Sequence, residues 1–216
     1  MFRFQFFPIR RSFRNIPRLE TDRLILRKIL PQDENDMYEY SRDAETSKYL
    51  LWEPHTSRSF TRAHLLYLQD AYNRASFFDW ALIDKESGKM IGTCGFTEIY
   101  EREKRAEVGY VIAPKFHRRG FAPEALKAVM NYGFLTLGLE KLSGRFMEDN
   151  VASRKVLERL GFTDDTKKKE SITKRGKKQR ILTYSLTKEA YLQNNDPSSP
   201  SCGQIGSVPD TFVTSE

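Results

Sequence analysis

Cysteine is nearly missing from this chain. Its two copies among 216 residues, Cys94 and Cys202, have neither the spacing of a zinc site nor the number for a disulfide framework. Histidine is scarce too, with three scattered copies, so no metal-ligand set is assigned and none is expected. No apolar run approaches the roughly 20 residues that a membrane-crossing helix needs, so no membrane partner is expected. Together these absences make a reducing, cytoplasmic setting the default expectation. No internal repeat is present, and no Ser-His-Asp or Cys-His arrangement offers a covalent nucleophile. Acidic residues are absent from residues 1–19, which carry five arginines. That lack of acids loosely resembles a transit peptide, but two prolines interrupt any amphipathic helix and no cleavage signal follows an apolar core. The stretch is expected to be a basic N-terminal extension, packed by its phenylalanines.

What is present fits one domain with tails: hydrophobic residues make up 39% and charged residues 30%, enough to bury a substantial core under a charged surface. The net charge of +7 is uneven. Residues 167–180 hold eight lysines or arginines against Glu170, and with the N-terminal extension removed as well the remainder is −5. The basic loop 167–180 is therefore a candidate contact for a ribosome or another acidic partner, and equally a solvated arm.

Read in order, residues 20–27 alternate as a first strand, and Pro31 opens a helix with acids in its first turn. A second helix covers about 61–74. The connection between them carries Trp52 and His55, which make either an acceptor-binding wall or a loop packed down by its aromatics. Residues 78–83 and 90–96, around the turn at Ser87-Gly88, predict a hairpin, and 105–112 a third strand in an antiparallel meander. Ala122, Ala125, Leu126, Val129, Met130, Gly133, Phe134 and Leu137 then mark one face of a long helix. A short strand at 142–147 precedes a helix at 151–160, which Asn150 caps and Gly161 stops. A final strand pair at 163–169 and 179–186 is expected around the basic loop. From 193 onward Pro, Ser, Gly and Asn predict disorder.

Residues 109–122 organise the rest. A strand ends before Pro114, a helix begins near Ala122, and His117, Arg118, Arg119 and Gly120 lie between them. Free amides at a helix start, its dipole and two guanidinium groups suit a pyrophosphate, and Gly120 permits close approach. The same residues also make an ordinary basic turn. Glu107, on the strand leading into this loop, is a candidate base in an apolar setting that would raise its pKa. The other reading is a half-exposed carboxylate paired with Arg105. Alternation puts Glu107, Gly109 and Val111 on one face and Val108, Tyr110 and Ile112 on the other.

At His117-Arg118-Arg119-Gly120-Phe121-Ala122 the chain resembles the GNAT acetyltransferases, whose signature is Arg/Gln-x-x-Gly-x-Gly/Ala; His117 departs from it at the first slot. The run Asn150-x-x-Ser153 through Gly161-Phe162 and the opening Glu20-Thr21-Asp22-Arg23-Leu24-Ile25-Leu26-Arg27 also resemble the branch that acetylates the N-terminal alanine of ribosomal proteins. The resemblance spans about residues 20–192. It implies an α/β (α+β) GNAT fold, a mixed, mostly antiparallel, splayed sheet with helices on both faces and acetyl-CoA in the splay. It implies cofactor contacts from Tyr110, Val111, Ile112, His117, Arg118, Arg119, Gly120, Phe121, Ala122, Asn150 and Ser153. Catalysis would fall to Glu107 on the amine, through an ordered water, and to Ser153 near the sulfur, with Asn150 beside the pantetheine arm. The tyrosine that many members carry seven residues after the Asn is here Leu157. The acceptor implied is a protein N-terminal amine, with a small amine as the alternative. A non-catalytic acyl-CoA-binding protein and an RNA-binding module are the readings from other classes.

Overall fold

The alternating stretches become one sheet. A computed structural model describes residues 9–167 and 169–195; residues 1–8, Lys168 and most of the expected C-terminal tail, with Cys202, lie outside the described residues. The strands are β1 (Leu19–Glu20), β2 (Leu24–Arg27), β3 (Phe78–Asp84), β4 (Met90–Tyr100), β5 (Arg105–Ile112), β6 (Lys141–Met147), β7 (Thr163–Asp164), β8 (Glu170–Lys174) and β9 (Lys177–Thr187). Their order is β1-β2-β3-β4-β5-β6-β9-β7, with β8 also on β9. Every pairing is antiparallel except β5 with β6. The mixed, mostly antiparallel sheet is thus as expected.

The helices are α1 (Glu34–Ser41), α2 (Arg58–Asn73), α3 (Phe121–Asn131), α4 (Val151–Arg159) and α5 (Lys188–Asn194). Ser57 caps α2 by accepting from the Phe60 amide, and Asn150 caps α4 through the Ser153 amide. The first helical turn, Pro31–Asp33, is a 3-10 segment running into α1. The apolar face that the sequence carries to Leu137 leaves α-geometry at Asn131 and continues as a π-helical turn, Tyr132–Thr136. There Gly133 lies against Phe96: a Cβ at Gly133 would stand 3.1 Å from its ring.

The end of the chain differs most from expectation. Residues 167–180 are not a loop between two strands but largely a hairpin, β8–β9, turned by Arg175 and Gly176. Both turn residues are left-handed, φ 49° and 73°, the geometry whose twist matches a two-residue hairpin. The strand was illegible because almost every side chain in it is polar, which removes the alternation that reveals a strand. Among the described residues no helix is long and apolar enough to cross a membrane.

The core continues into the expected N-terminal extension. Phe13 is fully buried, edge-on to Phe78 at 5.0 Å, Trp80 at 5.6 Å and Phe96 at 6.0 Å, and the Trp80 indole donates to the Pro17 carbonyl at 2.6 Å. Phe13→Ala should therefore destabilise the protein by about 3–5 kcal/mol in urea titration, the usual loss for a buried aromatic. A change under about 0.5 kcal/mol, typical of exposed positions, would mean that the segment is not part of the core.

Candidate active site

β5 and β6 run parallel only from Arg105–Lys141 to Val108–Gly144. Beyond that, residues 109–112 stay paired to β4 while their other edge loses its neighbour, and residues 145–147 of β6 keep only their pairing to β9. The sheet thus opens into a notch with an unpaired backbone edge on β5. Gly144 sits at the branch, and a Cβ there would lie 2.9 Å from Leu157, a residue that is itself buried.

The loop after β5 has the form of an anion cradle. Arg118 and Gly120 are left-handed, φ 59° and 80°, and among the described residues the amides of residues 118–122 find no backbone acceptor. Phe121 and Ala122 open α3, whose dipole adds to these donors. His117, the departure from the family pattern, bonds through Nε2 to the Ile112 carbonyl at 2.8 Å, tying the loop to the end of β5. Arg119 stacks near Phe116 and Phe121, at 5.3 and 5.2 Å, with Glu86 at 3.7 Å.

A clip absent from the sequence reading holds the loop from behind. Glu124 accepts from the Thr21 hydroxyl at 2.6 Å and from the Arg23 amide and guanidinium at 3.0 and 2.7 Å. Arg23 also donates to the Arg119 carbonyl at 2.8 Å and lies 4.6 Å over the Phe121 ring. Burial pushes the Glu124 carboxyl up, and the bonds from Thr21 and Arg23 outweigh it and hold it low. The opening strand motif and the loop are thus one unit, about a hundred residues apart in sequence.

On the notch wall, the Tyr110 phenol lies 3.0 Å from the Ser153 hydroxyl. Burial pushes Tyr110 up, so it stays a neutral donor at any working pH. Asn150 and Tyr110 thus both reach Ser153, Asn150 through the Ser153 amide at 3.1 Å, and the Tyr110 contact was not expected from the sequence. A phenol on the face of β5 opposite Glu107 could have been found by alternation, but not its partner on α4.

Glu107 is on the other face, and its surroundings differ from the apolar setting expected. Arg145 Nη1 is 3.8 Å from its carboxylate and the same guanidinium also pairs with Glu170, whereas Arg105 pairs with Glu103 instead. The parallel register puts Ser143 opposite Glu107, so Arg145 shares its face. Above this face, the β8–β9 turn reaches the α1–α2 connection. Lys174 donates to the Trp52 carbonyl at 3.1 Å and pairs with Glu53, and Arg175 donates to Ala44 O and Ser47 Oγ at 2.9 and 3.1 Å. His55 is buried, 2.9 Å from Thr61 Oγ1 and ringed by Trp52, Phe60 and His64. Burial, then His64, lowers its pKa to about 4, so it is neutral near pH 7 and serves packing. Among the described residues no group of three or more His, Cys, Asp or Glu is placed to hold a metal ion.

Residues 23–163 match the family model of the acetyltransferase (GNAT) domain. The uncharacterized N-acetyltransferase YoaA of Bacillus subtilis is 31% identical over 80% of this chain and 97% of its own. The [ribosomal protein uS5]-alanine N-acetyltransferase of Escherichia coli is 29% identical over 80% of this chain and 93% of its own. Among solved structures, an acetyltransferase (GNAT family) from Bacillus anthracis superposes with a TM-score of 0.70 at 24% identity, covering 80% of this chain and 99% of that one. A spermidine N-acetyltransferase from Vibrio cholerae, in complex with CoA and spermine, gives 0.69 at 22%, covering 80% and 99%.

Gly120→Val should weaken acetyl-CoA binding at least about tenfold by calorimetry, because a β-branched residue resists φ 80° and its side chain would press on the Arg23 guanidinium, 3.4 Å from the Cβ position, that holds the loop. Unchanged affinity in a folded variant would remove the anion site from this loop.

Proposed function

The chain belongs to the acetyltransferase (GNAT) family and is an acetyl-CoA-dependent N-acetyltransferase; from that premise we propose that its acceptor is the N-terminal amine of a protein. The observation that carries this reading is the strap between the β8–β9 turn and the α1–α2 connection. Lys174 is nearly buried within it, so its ammonium depends on both its partners. A strap on the Glu107 side would favour an opening entered end-on. A chain terminus can thread such an opening, and a side chain in mid-polypeptide would have to bring its flanking backbone through it. The similarity to a ribosomal-protein N-acetyltransferase supports the same class. Exposed Lys177 and Lys178 at the rim suit an acidic or RNA-bearing acceptor.

The pyrophosphate of acetyl-CoA rests on the amides of residues 118–122, and the pantetheine runs along the unpaired edge of β5 beside Asn150. Residues 110–112 supply backbone groups there, and an amide on this edge polarises the thioester carbonyl and holds the oxyanion of the tetrahedral adduct. Glu107, held by Arg145, orients the attacking amine through an ordered water. As the carbon–sulfur bond breaks, Ser153 donates to the thiolate, and the Tyr110 phenol donates to Ser153 in turn. No covalent intermediate is needed.

Two measurements test this. A short peptide with a free N-terminal alanine should be acetylated on its α-amine, and the same peptide with a blocked terminus and an internal lysine should not; the reverse preference, or a clear preference for a small polyamine, would overturn the acceptor. Glu107→Gln should lower kcat by about 10²-fold, within the range for a positioned acid–base or orienting group, with acetyl-CoA affinity kept. Ser153→Ala and Tyr110→Phe should each cost about 10-fold, and their double variant hardly more than either, since both act on one hydrogen bond. Full additivity would separate Tyr110 from the sulfur.

A further inference from the structure

Glu107 is mostly buried, its side chain 17% exposed, and among the described residues no hydrogen bond reaches its carboxylate. The Thr97 hydroxyl donates to its backbone carbonyl, at 3.4 Å. Ser143, directly opposite on β6, donates to the Ala106 carbonyl instead. Arg145 Nη1 lies 3.8 Å away. That is about 1 Å beyond the ~2.7–2.9 Å of a charge-assisted hydrogen bond. A carboxylate so enclosed takes its donors from water or from a ligand.

The closer partner of Arg145 is on another strand. Its Nη2 donates to Oε1 of Glu170, the first residue of β8. Arg145 pairs in register with Thr183 of β9, and Glu170 with Ile181, two residues along the same strand. Alternation puts these four side chains on the face that carries Glu107. Arg145 therefore reaches across β9 to Glu170 and turns its other nitrogen toward Glu107. The far end of β8 is the turn that Lys174 and Arg175 tie to the α1–α2 connection, so Glu170 is placed by the same strap that walls the site.

We propose that Glu170 is a positioning residue: by holding Arg145 it keeps the Glu107 carboxylate open for the acceptor amine and its ordered water. This deepens the acetyl-transfer reading and rests on the role given there to Glu107. Arg145 and an incoming ammonium compete for one carboxylate, since both are cations and both offer it N–H donors. An ionised Glu170 tilts the contest toward the acceptor, because Arg145 already has an anion of its own. An uncharged residue at 170 leaves Arg145 with Glu107 as its one ionic partner among the described residues. The guanidinium then closes the last ~1 Å and occupies the carboxylate. Once the amine has displaced it, the complex is the same as in the wild type. The effect therefore falls on acceptor binding and not on the chemical step.

Glu170→Gln on the full chain, with Glu170→Ala as a second variant, tests this with an N-terminal alanine peptide and, in parallel, a small primary amine. Both variants should raise the acceptor KM about tenfold, the worth of one charge-assisted hydrogen bond, with kcat within about twofold of the wild type and acetyl-CoA affinity kept. Arg145→Gln should act differently. Its acceptor KM should not rise, and its kcat should fall about threefold as Glu107 loses the cation beside it. Glu170→Gln combined with Arg145→Gln should have the KM of Arg145→Gln, since without a guanidinium nothing competes. Arg145 and Glu170 are both partly exposed, so these proteins should stay folded. If the two residues only pin the hairpin to the sheet, losing either does the same damage. Equal KM increases in Glu170→Gln and Arg145→Gln, or an unchanged KM in Glu170→Gln, therefore overturn the proposal. Glu107→Gln separates it from the reading beneath. Wild-type kinetics there would remove both, whereas an impaired Glu107→Gln beside an indifferent Glu170→Gln would remove the positioning role alone.

Discussion

Everything in this site depends on two parallel strands that stop pairing. β5 and β6 share a ladder for four residues and then diverge, because each has an antiparallel neighbour to stay with. A central strand normally has both edges satisfied, and here residues 109–112 keep one edge open inside the protein. An extended ligand with its own amides can complete that edge, as a strand would, and deliver a thioester to the branch point. Gly144 and Leu157 hold the branch open by packing across it.

Around this notch the charges are divided by function. On the cofactor side, cations and unpaired amides collect, and the nearby acids are engaged: Glu124 by Thr21 and Arg23, and Glu86 by Arg119. On the acceptor side, the Glu107 carboxylate has the Arg145 guanidinium 3.8 Å away. The β8–β9 turn adds a wall on this side, and its ionic contacts gain strength because Lys174 is nearly buried.

Much of the fold and the cofactor side was legible in the sequence. Strand alternation and helical period, with Gly, Pro and Asn as punctuation, mark β2 through β6 and α2 through α4 within a few residues of where they lie. The loop at 117–122 and the Asn150–Ser153 cap are local: their function follows from backbone angles and free amides contributed by consecutive residues. Strand β8 escaped because its side chains, Glu170–Lys174, are nearly all polar, whereas the apolar alternation of β9 was legible at 179–186.

What the sequence by itself determined is therefore the set of elements, the anion loop and the acetyltransferase family motif. Only the tertiary structure decided that Arg145 and not Arg105 faces Glu107, that Tyr110 reaches Ser153, that His55 is a packing residue, and that Arg145 also pairs with Glu170. Each of these rests on register between strands or on contacts between segments tens of residues apart. Alternation assigns a side chain to a face but is silent about which strand lies beside it, and a one-step change in register gives every such residue a different partner.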